Sequence, residues 1–399
     1  MRIAIIARDF PEASLTLAKY LAKEGVEVDY YKDCGIQSNG IDQGLEYDKV
    51  SRWFLYYKKV NNVDIPELAC FYKDLPVTLH LIRNSKIYKL IPGLRKYTLH
   101  QIVRIIKKQY YDVINIVGGS EVTKYHKALS NEVVYCSVHE VGFHSMNIPS
   151  SPGIDYIIKS KTPVHFFSES TRQRFLQLDD ADKCMSTVIP FGKFETMLLY
   201  DKNIKLNTGL DLTKPTFLFF GHLSSYKGLD VLAKAVELLE DEKGKYNLII
   251  GGRGENASLD FFRQQKNCFV INKMLTNQEI NTLNKIASIV VMPYKTASQT
   301  GIAPVAFMFG NPIIASRVGA LPDVIHDGDN GLLVPPENPV KLASAMKRLI
   351  YDRELVNKLK EGTKNYGNND SYDWKIIAKK TIDFMDKVIK EKYNRKSNF

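Results

Sequence analysis

The sequence predicts an α/β protein of two doubly wound, Rossmann-like domains that face a central cleft. Short Val- and Ile-rich runs alternate with helical patterns, and this alternation starts afresh after a polar stretch at 193–214. A chain of 399 residues also exceeds what one ordinary core needs. Runs buried on both faces are typical of parallel sheets covered by helices, whose strands present a ligand crevice at their carboxyl ends.

The N-terminal domain, expected at 1–195, opens with a strand, a helix and a second strand. RIAIIA precedes the helical spacing of EASLTLAKYLAKEG, which ends at Gly25 before VEVDYY. Further strands are predicted at 112–119, 133–139, 164–170 and 186–192.

The C-terminal domain, expected at 215–370, begins with the strand TFLFFG at 216–221. Thr276 and Glu279 have the spacing of a helix capping box in TNQEINTLNKIA. The remaining elements are predicted in GLDVLAKAVELLED, YNLIIGG, NCFVIN, SIVVMPY, a helix near 300–309, NPIIAS, GLLVPP and NPVKLASAMKRLIYD.

Composition excludes several classes of protein. A formal charge of +11 favours polyanionic partners, but neither zinc-finger spacing nor an RNA-recognition signature is present, so no nucleic-acid partner is expected. Five scattered cysteines without a CxxC pair argue against a disulfide framework and a zinc site. Since no run of about 18 uncharged apolar residues or secretory signal occurs, the chain is expected in the cytoplasm.

Several motifs recur in one order between Phe217 and Gly367, namely FLFFGHLSSYKG, LIIGGRGE, VVMPYKTASQTG and FGNPIIASRVGALPDVIHDGDNGLLVPP. This order resembles glycosyltransferase family 4, the glycosyl transferases group 1, which are retaining enzymes of the GT-B fold. The resemblance implies a nucleotide-sugar donor on the C-terminal domain and an acceptor on the N-terminal domain. It also implies that a closing helix, at 371–390, packs back on the N-terminal domain.

Lys227 in SSYKG matches the position where the family's lysine holds the diphosphate. Positive charge there stabilises a leaving group that gains charge. The family's Gly-Arg pair is replaced by Gly221 and His222, so either His222 or Arg253 is expected to assist. Asn272, at the end of NCFVIN, is a further candidate for donor binding. A solvated loop lysine is the alternative for Lys227.

The segment from Ala297 to Gly301 follows a strand and opens a predicted helix. Free amides at a helix start bind anions, so this segment is expected to hold the diphosphate. Ordinary capping by a hydroxyl is the alternative. The donor-binding candidates here are Ser298, Gln299, Thr300 and Gly301.

The same segment departs from the family pattern. The family's two glutamates, which normally contact the donor sugar and the ribose, align with Ala297 and Val305. Some branches carry a Ser-Gln-Ser-Gly-like stretch similar to SQTG here. The donor base and sugar are therefore left open.

His139, after the strand VVYCSV, matches the family's active-site histidine, which bonds the donor sugar. His144 competes for this role, and Glu140 is a candidate to orient the ring. In this family, retention of the anomeric configuration is attributed to attack of the acceptor on the same face of the sugar, so no flanking carboxylate pair is needed. No metal and no cofactor is expected, because no Asp-x-Asp pair ends a strand.

Two N-terminal loops depart from nucleotide-binding patterns. RDFPEAS at 8–14 lacks a glycine-rich turn, although it is expected to face the cleft. Gly118 and Gly119 follow a strand without the full dinucleotide fingerprint or a ribose-binding acid, which argues against a nicotinamide enzyme and leaves an acceptor loop or a tight turn.

From Leu81 to Tyr111 the chain carries eight Lys or Arg and no acid. Such a segment suits the anionic inner face of a membrane, where lipid-linked acceptors lie. Leu99, Ile102, Val103 and Ile106 repeat at helical spacing, so a helix packed on the sheet with a solvated basic side is the alternative.

The predicted function is retaining, metal-independent transfer of a sugar from a UDP- or GDP-linked donor to a glycan or lipid-linked acceptor in polysaccharide or glycoconjugate biosynthesis. A nucleotide-sugar epimerase would be expected to show more acidic residues in the cleft. A phosphorylase would need a lysine in the sequence context that binds its cofactor, and this context is not found. A non-catalytic GT-B-like subunit that binds nucleotide or glycan is the alternative from another class.

Overall fold

The computed structural model describes residues 1–8, 11–34, 41–42, 45–46, 56–60, 65–83, 91, 93–142, 150–201, 204–297, 299–368 and 370–397. The chain divides into two compact units. Unit 1 comprises Met1–Leu199 and Ser371–Phe399, and unit 2 comprises Tyr200–Asp370.

The elements of the first part of unit 1 are β1 Arg2–Ala7, α1 Pro11–Lys23, β2 Glu27–Asp33, β3 Ile41–Asp42, β4 Leu45–Glu46, β5 Tyr57–Lys59, α2 Pro66–Phe71, β6 Val77–Ile82, α3 Leu94–Lys107, β7 Val113–Val117, α4 Gly119–Ala128, β8 Val134–Val138, α5 Pro152–Ser160, β9 Val164–Phe166, α6 Glu169–Leu176 and β10 Ser186–Val188.

The elements of unit 2 are β11 Thr216–Phe220, α7 Leu229–Glu237, β12 Asn247–Gly252, α8 Leu259–Arg263, β13 Cys268–Asn272, α9 Asn277–Ile286, β14 Ile289–Met292, α10 Ile302–Met308, β15 Ile313–Ser316, α11 Leu321–Val324, β16 Gly331–Val334, α12 Pro339–Tyr351 and α13 Arg353–Asn365. The chain then returns to unit 1 with α14, Trp374–Ser397. Short 3-10 helices lie at Ala181–Lys183, Glu195–Tyr200, Ser225–Lys227 and Glu240–Glu242.

The sheet of unit 1 has the strand order β10-β9-β8-β7-β1-β2-β6-β5. All neighbours run parallel except β5, which pairs antiparallel with β6. Both faces of the sheet are covered, so β1, β7 and β8 are buried almost throughout. This two-sided burial explains why their sequences are mainly apolar, and the two polar residues Asn115 and Ser137 hydrogen-bond to each other.

The sheet of unit 2 has the strand order β13-β12-β11-β14-β15-β16, with every pair parallel. The direction of chain progression reverses between β11 and β14. In open α/β sheets the carboxyl ends of the strands at such a reversal form the ligand crevice. Both units are thus Rossmann-like, as the sequence predicts.

Most predicted elements exist, with shorter bounds. The strand predicted at 164–170 ends at Phe166, and the strand predicted at 112–119 ends at Val117, because the following residues begin helices. The Thr276–Glu279 capping box is confirmed, since each side chain bonds the backbone of the other. Strands β5 and β6 are absent from the sequence prediction.

Helix α14 packs on unit 1. Trp374, Ile377, Phe384 and Met385 lie in the same buried cluster as β1 and α1 residues such as Leu21. The indole of Trp374 donates a hydrogen bond to the Lys193 carbonyl at 2.7 Å. The helix therefore completes one face of the unit 1 core.

The apolar stripe of α3 is confirmed as core-facing, with Ile102, Val103 and Ile106 buried. Its basic side chains Arg104 and Lys107 are exposed. Of the helices in the described ranges, none combines the length and apolarity that crossing a bilayer requires.

Candidate functional site

The side chain of Lys227 lies in unit 2, at the reversal between β11 and β14. It is 9% exposed, and its ammonium stands 5.2 Å from the centre of the Tyr294 ring. It also lies against Gly221, where an added Cβ would meet the Lys227 Nζ at 2.9 Å. Among the described residues no carboxylate pairs with this ammonium within 4.0 Å. A buried cation without an anion is costly, so the position suits an anionic ligand.

Burial lowers the pKa of Lys227, and the neighbouring Tyr226 opposes this shift. The direction follows from desolvation, which disfavours the charged form. An anion bound beside Nζ would reverse it.

Two contacts hold the Lys227 loop against the loop after β14. Gly228 has φ +70, and a Cβ at this position would meet the Pro293 carbonyl oxygen at 1.9 Å, so only glycine permits the approach. The Lys295 amide donates to the Tyr226 carbonyl at 2.8 Å. The two loops at the reversal are therefore fixed relative to each other.

His222 and Arg253 follow β11 and β12, and both side chains are exposed. Their loops are joined, because the Leu223 amide donates to the Arg253 carbonyl at 2.9 Å. The Asn272 side-chain oxygen accepts from the Gly254 amide at 3.3 Å. The predicted candidates on β11, β12 and β13 thus share one edge of the sheet, and Asn272 serves to shape the β12 loop.

The helix predicted near 300–309, after β14, is present as α10, Ile302–Met308. Helix α10 begins at Ile302, and Gly301 is its N-cap without a side-chain bond. The Thr300 hydroxyl, one residue before the N-cap, accepts a hydrogen bond from the Ile302 amide at 3.0 Å. This bond is of the kind expected under the capping alternative. Gln299 carries a buried amide oxygen that has no partner within the described ranges. Ser298 lies outside the described residues.

Ala297 and Val305, which stand where the family carries glutamates, are both buried, with 8% and 6% exposure. Gly319 approaches Ala297 closely, since an added Cβ would meet the Ala297 carbonyl oxygen at 1.5 Å. Buried apolar residues therefore occupy these two positions, and the backbone is closely packed at Ala297.

His139 directly follows β8 in unit 1 and is 7% exposed. Its ring stacks on Phe167 at 4.3 Å and on Phe191 at 5.3 Å between centroids. The two phenylalanines stack on each other at 4.2 Å. This aromatic stack, which no sequence pattern indicates, fixes the ring plane. The competing His144 lies outside the described residues.

The remaining loops are only partly described. Asp9 and Phe10 of RDFPEAS fall outside the described residues, and α1 begins immediately after them at Pro11. Gly118 has φ +114 and is the N-cap of α4, so the glycine pair marks a strand-to-helix turn.

Two residues near Lys227 escape the sequence prediction. Tyr294 places its ring under the ammonium, and Ser224 carries a buried hydroxyl without a partner in the described part of the chain. Their only sequence signal is position, one after a Val-rich strand and the other within SSYK.

Residues 201–366 match the family described as Glycosyl transferases group 1. The chain is 31% identical over 180 residues to a D-inositol 3-phosphate glycosyltransferase of Corynebacterium glutamicum, which covers 43% of each protein. It is 28% identical over 215 residues to an uncharacterized glycosyltransferase of Methanocaldococcus jannaschii, covering 51% of this chain and 53% of the relative. The chain thus spans about two fifths to a half of the curated relatives' length.

Solved structures match over nearly the whole chain. A sucrose-phosphate synthase from Thermosynechococcus elongatus superposes with a TM-score of 0.67 at 15% identity, covering 98% of this chain and 100% of the other. Anabaena HepE in complex with UDP and glucose superposes with a TM-score of 0.65 at 14% identity, covering 97% and 99%. The chain therefore has the GT-B fold, and residues 201–366 are similar to the Glycosyl transferases group 1 family.

Proposed function

We propose that the chain is a retaining glycosyltransferase that moves a sugar from a UDP- or GDP-linked donor to a glycan or lipid-linked acceptor in polysaccharide or glycoconjugate biosynthesis. One observation carries the proposal: the buried ammonium of Lys227 faces no carboxylate of the described residues and stands at the strand reversal of a matched Rossmann-like sheet. Structural neighbours solved with UDP and glucose, and with UDP-2-fluoro glucose, support a nucleotide-sugar donor.

The proposed reaction breaks the bond between the anomeric carbon and the diphosphate oxygen. The acceptor oxygen bonds to the same face of that carbon, and its proton passes to the leaving phosphate. Lys227 contributes by stabilising charge that grows on the diphosphate, which is an interaction stronger in the transition state than in the ground state. A fixed ammonium supplies the charge that a divalent cation would supply, and hence we propose that transfer needs no metal.

His139 has the second proposed role. Because the Phe167 and Phe191 rings hold its imidazole in one plane, the ring is positioned to hydrogen-bond a donor-sugar hydroxyl without rotating. Such a residue affects turnover more than nucleotide affinity.

A second candidate function is supported by one observation. Ala297 and Val305 are apolar and buried at the positions of the family's glutamates. A subunit that binds nucleotide or glycan without turnover needs no acid there, so this alternative differs from the first only in catalysis.

The two functions separate in one experiment. The wild-type chain and His139→Ala are incubated with a panel of UDP- and GDP-sugars, with and without chelator, and release of nucleotide diphosphate is followed beside nucleotide binding by calorimetry. We expect chelator-insensitive release by the wild type, and reduced release with retained binding in His139→Ala. Binding without release from any donor would establish the non-catalytic function, and release restored only by magnesium or manganese would refute metal-independence.

A further inference from the structure

A second pocket lies in unit 1, at the amino ends of β8 and β9. It has a volume of about 230 Å³ and is walled by the end of α4, the end of α5 and one face of α14. His139 follows the carboxyl end of β8, so the pocket belongs to the opposite edge of the same sheet. It is therefore distinct from the site proposed for transfer.

The pocket is lined by a buried histidine whose proton can be assigned. The Ser160 hydroxyl donates to the Tyr156 carbonyl at 2.6 Å and lies 2.6 Å from the Thr162 hydroxyl. With its own proton so placed, Ser160 must accept from Thr162. Thr162, having given its proton, must accept from the His126 Nε2–H at 2.7 Å.

The chain of donors leaves His126 Nδ1 without a proton. This nitrogen is buried and has no hydrogen-bond partner within the described ranges, and the residue as a whole is 8% exposed. Burial lowers the pKa of His126, the positive charge of Lys392 adds to this shift, and a hydrogen bond to the residue's own backbone opposes it, so that the net direction favours the neutral ring. A buried acceptor without a donor is unfavourable, and an O–H or N–H group entering the pocket would satisfy it.

The other walls favour a neutral ligand rich in hydroxyls. The lining contains two carboxylates, Glu132 and Glu391, and two ammonium groups, Lys161 and Lys392, so their formal charges cancel. Carboxylates accept from hydroxyls and ammonium groups donate to them. The ring of Tyr156, which meets the His126 ring edge-on at 5.1 Å, adds an apolar surface.

We propose that this pocket, here called the α4–α14 pocket, binds a small, neutral, polyhydroxylated molecule the size of a single sugar residue, with His126 Nδ1 accepting a proton from one of its hydroxyls. The inference does not depend on the proposed transfer reaction. It assigns unit 1 a second carbohydrate-binding site at the edge of the sheet away from His139.

Binding is tested by saturation-transfer NMR on the full chain with methyl α-glucopyranoside, methyl α-mannopyranoside and methyl α-galactopyranoside as probes. UDP is kept in excess throughout, and its own binding is measured in the same samples. We expect at least one probe to bind the wild type and Lys227→Ala. His126→Leu, which removes both ring nitrogens, should abolish that binding, while His126→Asn, which retains a polar atom near the Nδ1 position, should keep part of it.

Circular dichroism and thermal melting establish that both variants fold. Should His126→Leu fail to fold, ¹⁵N-histidine NMR of the wild type replaces it, because the unprotonated Nδ1 resonance should shift on addition of the bound probe. The proposal is wrong if no probe binds in the presence of excess UDP, if binding survives in His126→Leu, or if Nδ1 is the protonated nitrogen. Loss of UDP binding alone would count against the donor site and leave this pocket standing.

Discussion

Lys227 and Lys295 show how two lysines of neighbouring loops differ in physical role. Lys295 is paired with Asp230 at 2.8 Å and is partly exposed, so its charge is compensated and screened. Lys227 is buried, has no carboxylate partner among the described residues, and rests on an aromatic ring. Only the second arrangement leaves a positive charge without a counter-charge from the described residues, which is why we propose Lys227 as the residue that binds the diphosphate.

We expect Lys227→Ala to lower turnover by about 100- to 1000-fold, the usual loss when one fixed electrostatic group is removed from a reacting centre. Initial rates at saturating donor measure the effect. Lys243→Ala, which removes a partly exposed lysine paired with Glu240, is the matched control and should leave the rate unchanged. Equal rates for Lys227→Ala and the control would remove Lys227 from the site.

His165 makes the stability of unit 1 depend on pH. It is fully enclosed, its Nε2–H donates to the Ile189 carbonyl at 2.8 Å, and burial lowers its pKa to about 4. In the unfolded chain this histidine has an ordinary pKa of about 6.5, so between about pH 6.5 and about pH 4 it binds a proton that it does not bind in the folded chain. Protonation of His165 therefore does not reduce the free energy of unfolding above about pH 6.5. Below that pH it lowers the free energy of unfolding, by roughly 3 kcal/mol in total as the pH drops toward 4.

When the pH is lowered from 7 to 4.5, we expect the free energy of unfolding of His165→Gln to fall by about 2 to 3 kcal/mol less than that of the wild type. Both tryptophans of the chain belong to unit 1, so urea unfolding followed by tryptophan fluorescence reports on the correct unit. Parallel pH profiles for the two proteins would show that His165 is protonated in the folded state.

At the scale of elements, helix α3 has an apolar side that packs in the core and a basic side at the surface. Its apolar side fills the core, and its other side, continuing to Tyr110, exposes Lys96, Arg104, Lys107 and Lys108 around a groove of about 670 Å³. Tyr110 is 88% exposed. The two alternatives drawn from the sequence are thus compatible, because core packing leaves the cations free to meet an anionic surface. Lys86 and Lys89 lie outside the described residues.

We propose that this basic side holds the chain at anionic membrane and predict that Arg104→Gln, Lys107→Gln and Lys108→Gln together weaken binding to phosphatidylserine vesicles by about 3 kcal/mol, roughly 1 kcal/mol for each charge. Vesicle sedimentation measures it. Binding should also weaken as salt shortens the screening length from about 10 Å at 0.1 M to about 3 Å at 1 M. A control triple variant, Lys234→Gln, Lys341→Gln and Lys358→Gln, keeps the net charge equal. Indifference of the wild type to such vesicles at low salt would end the membrane hypothesis.

The elements that the sequence predicts are those whose burial produces a local pattern of apolar residues. The two-sided strands β1, β8 and β11 are mainly apolar runs, and the capping box of α9 is local chemistry, so both follow from the sequence. Strand β6 was missed because VTLHLI contains polar residues, of which His80 is buried through a bond to Asp29. A partner 51 residues away leaves no local signal.

The site divides in the same way. Lys227 and Gly221 are predicted because they sit in a motif after a strand, and the structure brings them into contact. The Phe167 and Phe191 stack around His139 joins separate strands and loops, so no window of sequence contains it. The hydrogen bond that the Thr300 hydroxyl accepts from the Ile302 amide depends on where α10 begins, which periodicity fixes only to within a few residues.

At the scale of the whole molecule, unit 1 is built from two distant stretches of chain. Trp374 is the first large residue of the second stretch to reach the core, where it is 6% exposed and packs near Tyr20. Gly192 makes room for it, because a Cβ there would meet the Trp374 Nε1 at 2.5 Å. The junction therefore depends on one indole in a closely fitted position.

We expect Trp374→Ala to destabilise unit 1 by about 3 to 5 kcal/mol, the range for removing a large aromatic side chain from a core. Trp374→Phe keeps most of the buried area and loses the bond to the Lys193 carbonyl, so it should cost less. Calorimetric melting of both variants gives the comparison. A transition for unit 2 that shifts as far as that for unit 1 would contradict the assignment of α14 to unit 1 alone.

The split of unit 1 sets an order for vectorial synthesis. The ribosome must deliver all of 200–370 before Trp374 and the rest of α14 emerge, and at 5 to 20 residues per second this delay lasts about 10 to 30 s. During that interval the apolar surface of α1 and β1 that α14 covers in the finished protein is open to solvent and to chaperones. Unit 2, contiguous in the chain, has the residues of its own core available first, so the domain that carries Lys227 matures before the domain that carries His139.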